Sequence, residues 1–142
     1  LDINLTGVYN CMKCQIDQMQ TQSGGGSIVS TSSAAGLIGI PGATGYNSAK
    51  HGVVGLTKTI ALEYAAKNIR ANAVCPGFIE TPMLERVTDA SIKIREQLIK
   101  MVPMKRVAKP SEIAEAVLWL LSDRSSYVTG VALPVDGGWV AQ

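Results

Sequence analysis

The chain has 142 residues, 46% of them apolar and 17% charged, and a formal net charge of +2. That length fits one domain or part of one, and the small, dispersed charge argues against a nucleic-acid partner. No apolar run approaches the ~18 residues of a membrane-spanning helix, so no membrane partner is expected, and a charged fraction below the usual quarter implies extensive burial, including faces covered by other segments or subunits.

Leu5, Val8, Met12, Ile16 and Met19 recur at three- and four-residue steps, which predicts one long amphipathic helix through about residue 21. Gly24-Gly25-Gly26 ends it. Residues 27–32 read as a short buried strand and residues 36–45 as a turn-rich loop. A second helix starts near Thr44 and presents Tyr46, Ala49, Val53, Leu56, Ile60 and Tyr64 along one side. Residues 69–75 form the next strand, which Pro76-Gly77 terminates. Residues 82–108 carry Met83, Leu84, Val87, Ile92, Leu98, Ile99, Met101 and Met104, on amphipathic spacing.

Pro110 suits the first position of a further helix, with Glu112 in its first turn and Ile113, Ala116, Val117, Leu120 and Leu121 as its buried stripe. Residues 131–135 are a final short strand, in which Pro134 lacks a ladder donor and so argues for an edge position or a strand end. Asp136-Gly137-Gly138 turns the chain away, and Trp139 reads as a packing anchor for the tail or a subunit contact. Strands alternating with helices give an α/β fold with a parallel sheet, and such sheets bind ligands at the carboxyl ends of their strands. Ser33, after one strand, and Pro76-Gly77, after the next, therefore approach Tyr46 together.

Cys11, Cys14 and Cys75 do not form an even disulfide framework. Cys11-Met12-Lys13-Cys14 lies within a helical pattern, no second pair follows it, and His51 is the only histidine. Structural thiols are the expectation, with no metal and a reducing, cytoplasmic setting.

The chemistry concentrates in Tyr46-Asn47-Ser48-Ala49-Lys50, with Ser33 thirteen residues upstream. Positions i and i+4 of a helix share a face, so phenol and ammonium can meet at one centre. A free tyrosine, with a pKa of about 10, is a poor base at neutral pH. A lysine cation about 4 Å away, at an effective dielectric near 20, favours the phenolate by roughly 4 kcal/mol. Ser33 could hold the oxygen of an alcohol or ketone while the phenol moves its proton. The spacing alone is common on helices; its surroundings make it specific.

Those surroundings are Leu1-Asp2-Ile3-Asn4-Leu5-Thr6-Gly7-Val8, Ser27-Ile28-Val29-Ser30-Thr31-Ser32-Ser33-Ala34-Ala35-Gly36, Asn72-Ala73-Val74-Cys75-Pro76-Gly77-Phe78-Ile79-Glu80-Thr81 and Val135-Asp136-Gly137-Gly138-Trp139. In this order, over essentially the whole chain, they resemble the second half of a short-chain dehydrogenase/reductase. The resemblance implies a Rossmann-like, doubly wound parallel sheet, of which residues 1–142 would be the C-terminal part, with about three strands. It implies Tyr46 as catalytic acid/base, Lys50 as the residue that lowers its pKa and holds the nicotinamide ribose, and Ser33, rather than its neighbour Ser32, as the substrate-orienting serine. Asn4 matches the asparagine that kinks its helix and anchors a proton-relay water. Pro76, Gly77, Ile79 and Thr81 match the stretch that wraps the nicotinamide. Residues 82–108 match a substrate lid, with Met83 as a substrate-facing member; a methionine-rich lid suits an apolar or cyclic alcohol.

The implied activity is hydride transfer between NAD or NADP and a secondary alcohol or its ketone, in a homodimer or homotetramer built through the first two helices. The glycine-rich pyrophosphate turn and the residue that selects NAD or NADP are not in this sequence. The cofactor preference is therefore open, and a non-catalytic packing or oligomerisation fragment of such an enzyme is the alternative reading. The first strand would expose an edge that invites association.

Overall fold

A computed structural model describes residues 1–88 and 92–141. Three parallel strands, β1 (Gly26–Thr31), β2 (Ile69–Pro76) and β3 (Ala132–Val135), form one sheet in the order β1-β2-β3. Gly26 pairs with Ile69 at one end of β1 and Thr31 with Val74 at the other; Ala73 to Pro76 pair with Ala132 to Val135. Pro134 thus sits on an edge strand of the described sheet, where a missing donor is tolerated.

The alternation of β2 separates two faces. Ile69 and Ala71 join Ile28 of β1 in a core with Met12 and Ile16 of α1 (Gly7–Met19) and Ile60 and Ala61 of α2 (Thr44–Tyr64). Arg70 and Asn72 point the other way. The Arg70 guanidinium donates to Leu120 O, Ser122 O, Val128 O and Ser125 Oγ, tying the sheet to the C-terminal end of α5 (Pro110–Leu121). Asn72 Nδ2 donates to Val128 O, and its Oδ1 accepts from Val131 N. Helices therefore cover both faces, with polar side chains stitching the second.

Two expectations need correction, one in the first helix and one in the last. The first helix opens with a π-helical turn over Asp2–Thr6, in which Gly7 N bonds back to Asp2 O, and its α-helical part ends at Met19. Leu5 in that turn packs on Gly52 of α2, where an added Cβ would lie 2.8 Å from a Leu5 methyl. Within residues 82–108 lie two described helices, α3 (Pro82–Thr88) and α4 (Ile92–Met101); the side chains of Val87 and Ile92 lie outside the described residues. Leu121, expected in the buried stripe of α5, is 44% exposed, and of that stripe only Leu120 is fully buried. Cys11 and Cys14 are exposed and free, whereas Cys75 is buried and free.

Candidate active site

The site is assembled where β1 and β2 end. β1 runs into Ser32 and Ser33, and the two hydroxyls divide. Ser32 is buried and its Oγ donates to Lys50 O at 2.8 Å, so it is spent on holding α2. Ser33 has extended backbone and caps the short turn Ala34–Gly36, its Oγ accepting from Ala35 N at 3.1 Å. An oxygen that accepts from the backbone keeps its own hydrogen free to donate. The geometry thus separates the two serines that sequence spacing left adjacent.

Tyr46 lies in the first turn of α2 and is 38% exposed; Lys50, one turn on, is only 8% exposed. The Lys50 ammonium lies 5.7 Å from the centroid of the Tyr46 ring and donates to Thr31 O at 2.9 Å. Burial pushes the Lys50 pKa below its ordinary value, against a smaller upward pull from the neighbouring Cys75 thiol. Burial likewise raises the Cys75 thiol, partly offset by the nearby Ser32 hydroxyl and Ser33 backbone N–H. Asn47 Nδ2 donates to Ile38 O at 2.8 Å and so pins the loop before α2 to the helix.

Pro76 ends β2, and the following segment is clamped by a parallel bridge between Ile79 and Ala108. Ala108 N donates to Phe78 O and Glu80 N to Ala108 O. Thr81 Oγ1 accepts from Leu84 N at 3.4 Å and donates to Ile79 O at 3.3 Å, turning the chain into α3. Met83 is 62% exposed beside the site.

Two cavities share this ground. Ser33, Tyr46, Gly77, Ile79, Thr81 and Met83 line both. The larger, about 700 Å³, adds Thr31, Lys50 and Pro76 and is walled by Ile113 and Val117 of α5. The smaller, about 250 Å³, adds Ile40, Leu98, Phe78 and Trp139. Of the expected site residues, Asn4 stands apart: it is exposed in the π-helical turn and lines neither cavity. Trp139, read from sequence as a tail anchor, is a pocket residue. A signal for it existed, because a residue just past β3 falls at the same sheet edge as Ser33 and Pro76.

Among the described residues no group of three or more His, Cys, Asp or Glu could hold a metal ion. A family profile described as enoyl-(acyl carrier protein) reductase matches residues 1–140. A 3-oxoacyl-(acyl-carrier-protein) reductase of Thermotoga maritima is 48% identical over 140 residues, 99% of this chain and 55% of that protein. The chain belongs to the short-chain dehydrogenase/reductase family. Two solved family structures extend the likeness to three dimensions. Levodione reductase matches with a TM-score of 0.93 at 43% identity, over 98% of this chain and 55% of that one. ElxO with NADP bound matches with a TM-score of 0.90 at 37% identity, over 98% and 56%. The chain spans about half the length of the relatives it matches.

Proposed function

We propose that the protein is an oxidoreductase interconverting a secondary alcohol and its ketone with NAD or NADP. The observation that carries this is the convergence of Ser33, Tyr46 and Lys50 on one cavity at the carboxyl ends of β1 and β2. That a related structure holds NADP, and that two relatives are named as a 3-oxoacyl-(acyl-carrier-protein) reductase and a levodione reductase, supports the reading.

The residues present fit a nicotinamide dinucleotide. Lys50 uses one of its three donors on Thr31 O, leaving two for ribose hydroxyls. Pro76, Gly77, Ile79 and Thr81 form a mainly apolar rim suited to a nicotinamide ring. When bound, the nicotinamide supplies hydride to the carbonyl carbon or accepts it from the carbinol carbon. The chain handles the proton. In reduction the Tyr46 hydroxyl protonates the oxygen that becomes the alcohol, and in oxidation it takes that proton back. The free Ser33 hydrogen holds the same oxygen in place. The Lys50 cation beside the ring stabilises negative charge on the phenol, and Asn4, which lines neither cavity, acts by holding the water that receives the proton. Residues 82–108 cover the substrate, with Met83 against it.

The assembly is a homodimer or homotetramer joined through α1 and α2, whose shared groove is bordered by Tyr9, Leu56 and Tyr64. No described helix is long and apolar enough to cross a membrane.

Replacing Tyr46 with Phe in the full-length protein is expected to lower turnover by about a thousandfold, within the range of general acid–base catalysis. Binding of NADH or NADPH, followed by nicotinamide fluorescence, is expected to persist. Near-normal turnover of the variant would overturn the reading.

A further inference from the structure

The smaller cavity carries information that the proton-transfer set does not. Among the described residues its lining contains no ionisable side chain apart from the Tyr46 phenol, and beyond Ser33, Tyr46 and Thr81 its described side chains are apolar or aromatic. Its aromatic wall is Trp139, stacked on Phe78 with ring centroids 4.4 Å apart and planes tilted by 32°.

That wall is held from several directions. The Asp136 carboxylate accepts from Gly138 N and from Val140 N, both at 2.9 Å, bracketing Trp139 on either side. Gly137 and Gly138 have φ of +66° and +87°, a conformation that side-chain-bearing residues avoid. Gly137 O accepts from Met104 N, and Pro103 packs where a Gly138 side chain would stand. The indole is 8% exposed, whereas Met83 on the lid side is 62% exposed. A wall braced in this way sets the dimensions of the pocket, whereas an exposed, unbranched methionine adapts to what enters.

A volume of about 250 Å³ lies below the range of roughly 300–1,000 Å³ that takes drug-sized ligands. Burying a carboxylate or phosphate there without a partner is strongly unfavourable. A flat indole wall offers a broad apolar face, which a compact ring can cover and a long flexible chain cannot cover without losing its freedom. We infer that Trp139 is the specificity-determining wall of the carbonyl pocket, selecting compact, uncharged ketones and secondary alcohols built on a single ring. It disfavours those with a carboxylate, a phosphate or a long acyl chain next to the reacting carbon. This rests on the oxidoreductase reading above.

The test compares the full-length wild type with Trp139→Ala and Trp139→Phe. The ketones are cyclohexanone, 4-tert-butylcyclohexanone, 4-oxocyclohexanecarboxylate and an acetoacetyl thioester, each reduced with the accepted nicotinamide. Wild type is expected to favour cyclohexanone at least tenfold in kcat/KM over each of the other three. Trp139→Ala should raise KM for cyclohexanone about tenfold and gain on the tert-butyl ketone. Trp139→Phe, which keeps an aromatic wall and the fold, should shift the same ratio part of the way. A saturable quench of indole fluorescence by cyclohexanone, reduced in Trp139→Phe, reads the same contact without turnover.

Equal loss on all four ketones in both variants, or a wild-type preference for the thioester or the carboxylate, overturns this inference alone. Absence of turnover of any ketone by the wild type, with Tyr46→Phe indistinguishable from it, overturns the oxidoreductase reading and this inference together.

Discussion

Lys50 shows how the site trades stability for chemistry. Its ammonium is buried, its hydrogen-bond partner is a backbone carbonyl, and both salt bridges among the described residues involve other side chains. A buried cation without a counter-charge destabilises the fold, which is why its pKa falls below the ordinary 10.5. The sign follows directly: the penalty is full below the folded-state pKa and is relieved as pH rises through it towards 10.5. Lys50→Met in the full-length protein is therefore expected to lose at least about a hundredfold in turnover. Its thermal midpoint at neutral pH should be unchanged or higher, and its advantage should shrink as pH approaches 10. A midpoint several degrees lower would mean that the bond to Thr31 O outweighs the burial of charge. The pairing of Tyr46 with Lys50 was legible in sequence because helix geometry dictates which residues share a face. The place of Trp139 just past the last strand was legible as well; whether it packs or lines a pocket was not, because either use leaves the same pattern.

At the scale of elements, the first turn of α5 is the clearest case of local sequence acting through charge. Glu112 accepts from Lys109 N at 2.8 Å and takes both arms of Arg106, at 2.8 and 2.6 Å. A carboxylate there meets unpaired backbone donors and the positive end of the helix. The Arg106 guanidinium, more than the backbone, lowers the Glu112 pKa from 4.5 to about 2. A depressed carboxylate pKa contributes stability above the ordinary value and loses it as pH falls through the folded one. Glu112→Gln should thus be less stable than wild type at neutral pH, with the gap closing between about pH 4.5 and 2 in acid-denaturation curves. A constant gap across that window would mean that Glu112 acts through packing instead. Pro110 and Glu112 marked this helix start in sequence by known capping chemistry. The π-helical turn over Asp2–Thr6 left no such mark: one widened turn barely disturbs a three- and four-residue apolar spacing.

The whole molecule presents two unlike surfaces for association. One is the open edge of β1, whose backbone groups pair with β2 on one side only, together with Leu118, Trp119 and Leu121, exposed on α5. An open strand edge flanked by apolar side chains is a template for pairing with another chain. The other is the α1–α2 face, where Tyr9, Leu56 and Tyr64 border a groove of about 370 Å³. Parallel pairing follows from strands separated by helices, and the exposed edge of the first strand was implied by the family resemblance; the groove needed coordinates, because it depends on how two helices cross. The two surfaces are separable by experiment. Expressed alone, the 142-residue polypeptide is expected to elute from size-exclusion chromatography with light scattering as dimers or larger species, through edge and α5 together. In the full-length protein, Leu56→Arg should lower the assembly state by placing a charge in the α1–α2 groove, while Leu118→Arg should leave it unchanged. A monomeric 142-residue chain with one sharp unfolding transition would show that the β1 edge is adequately protected. An unaltered assembly in Leu56→Arg would move the subunit contact away from the helices.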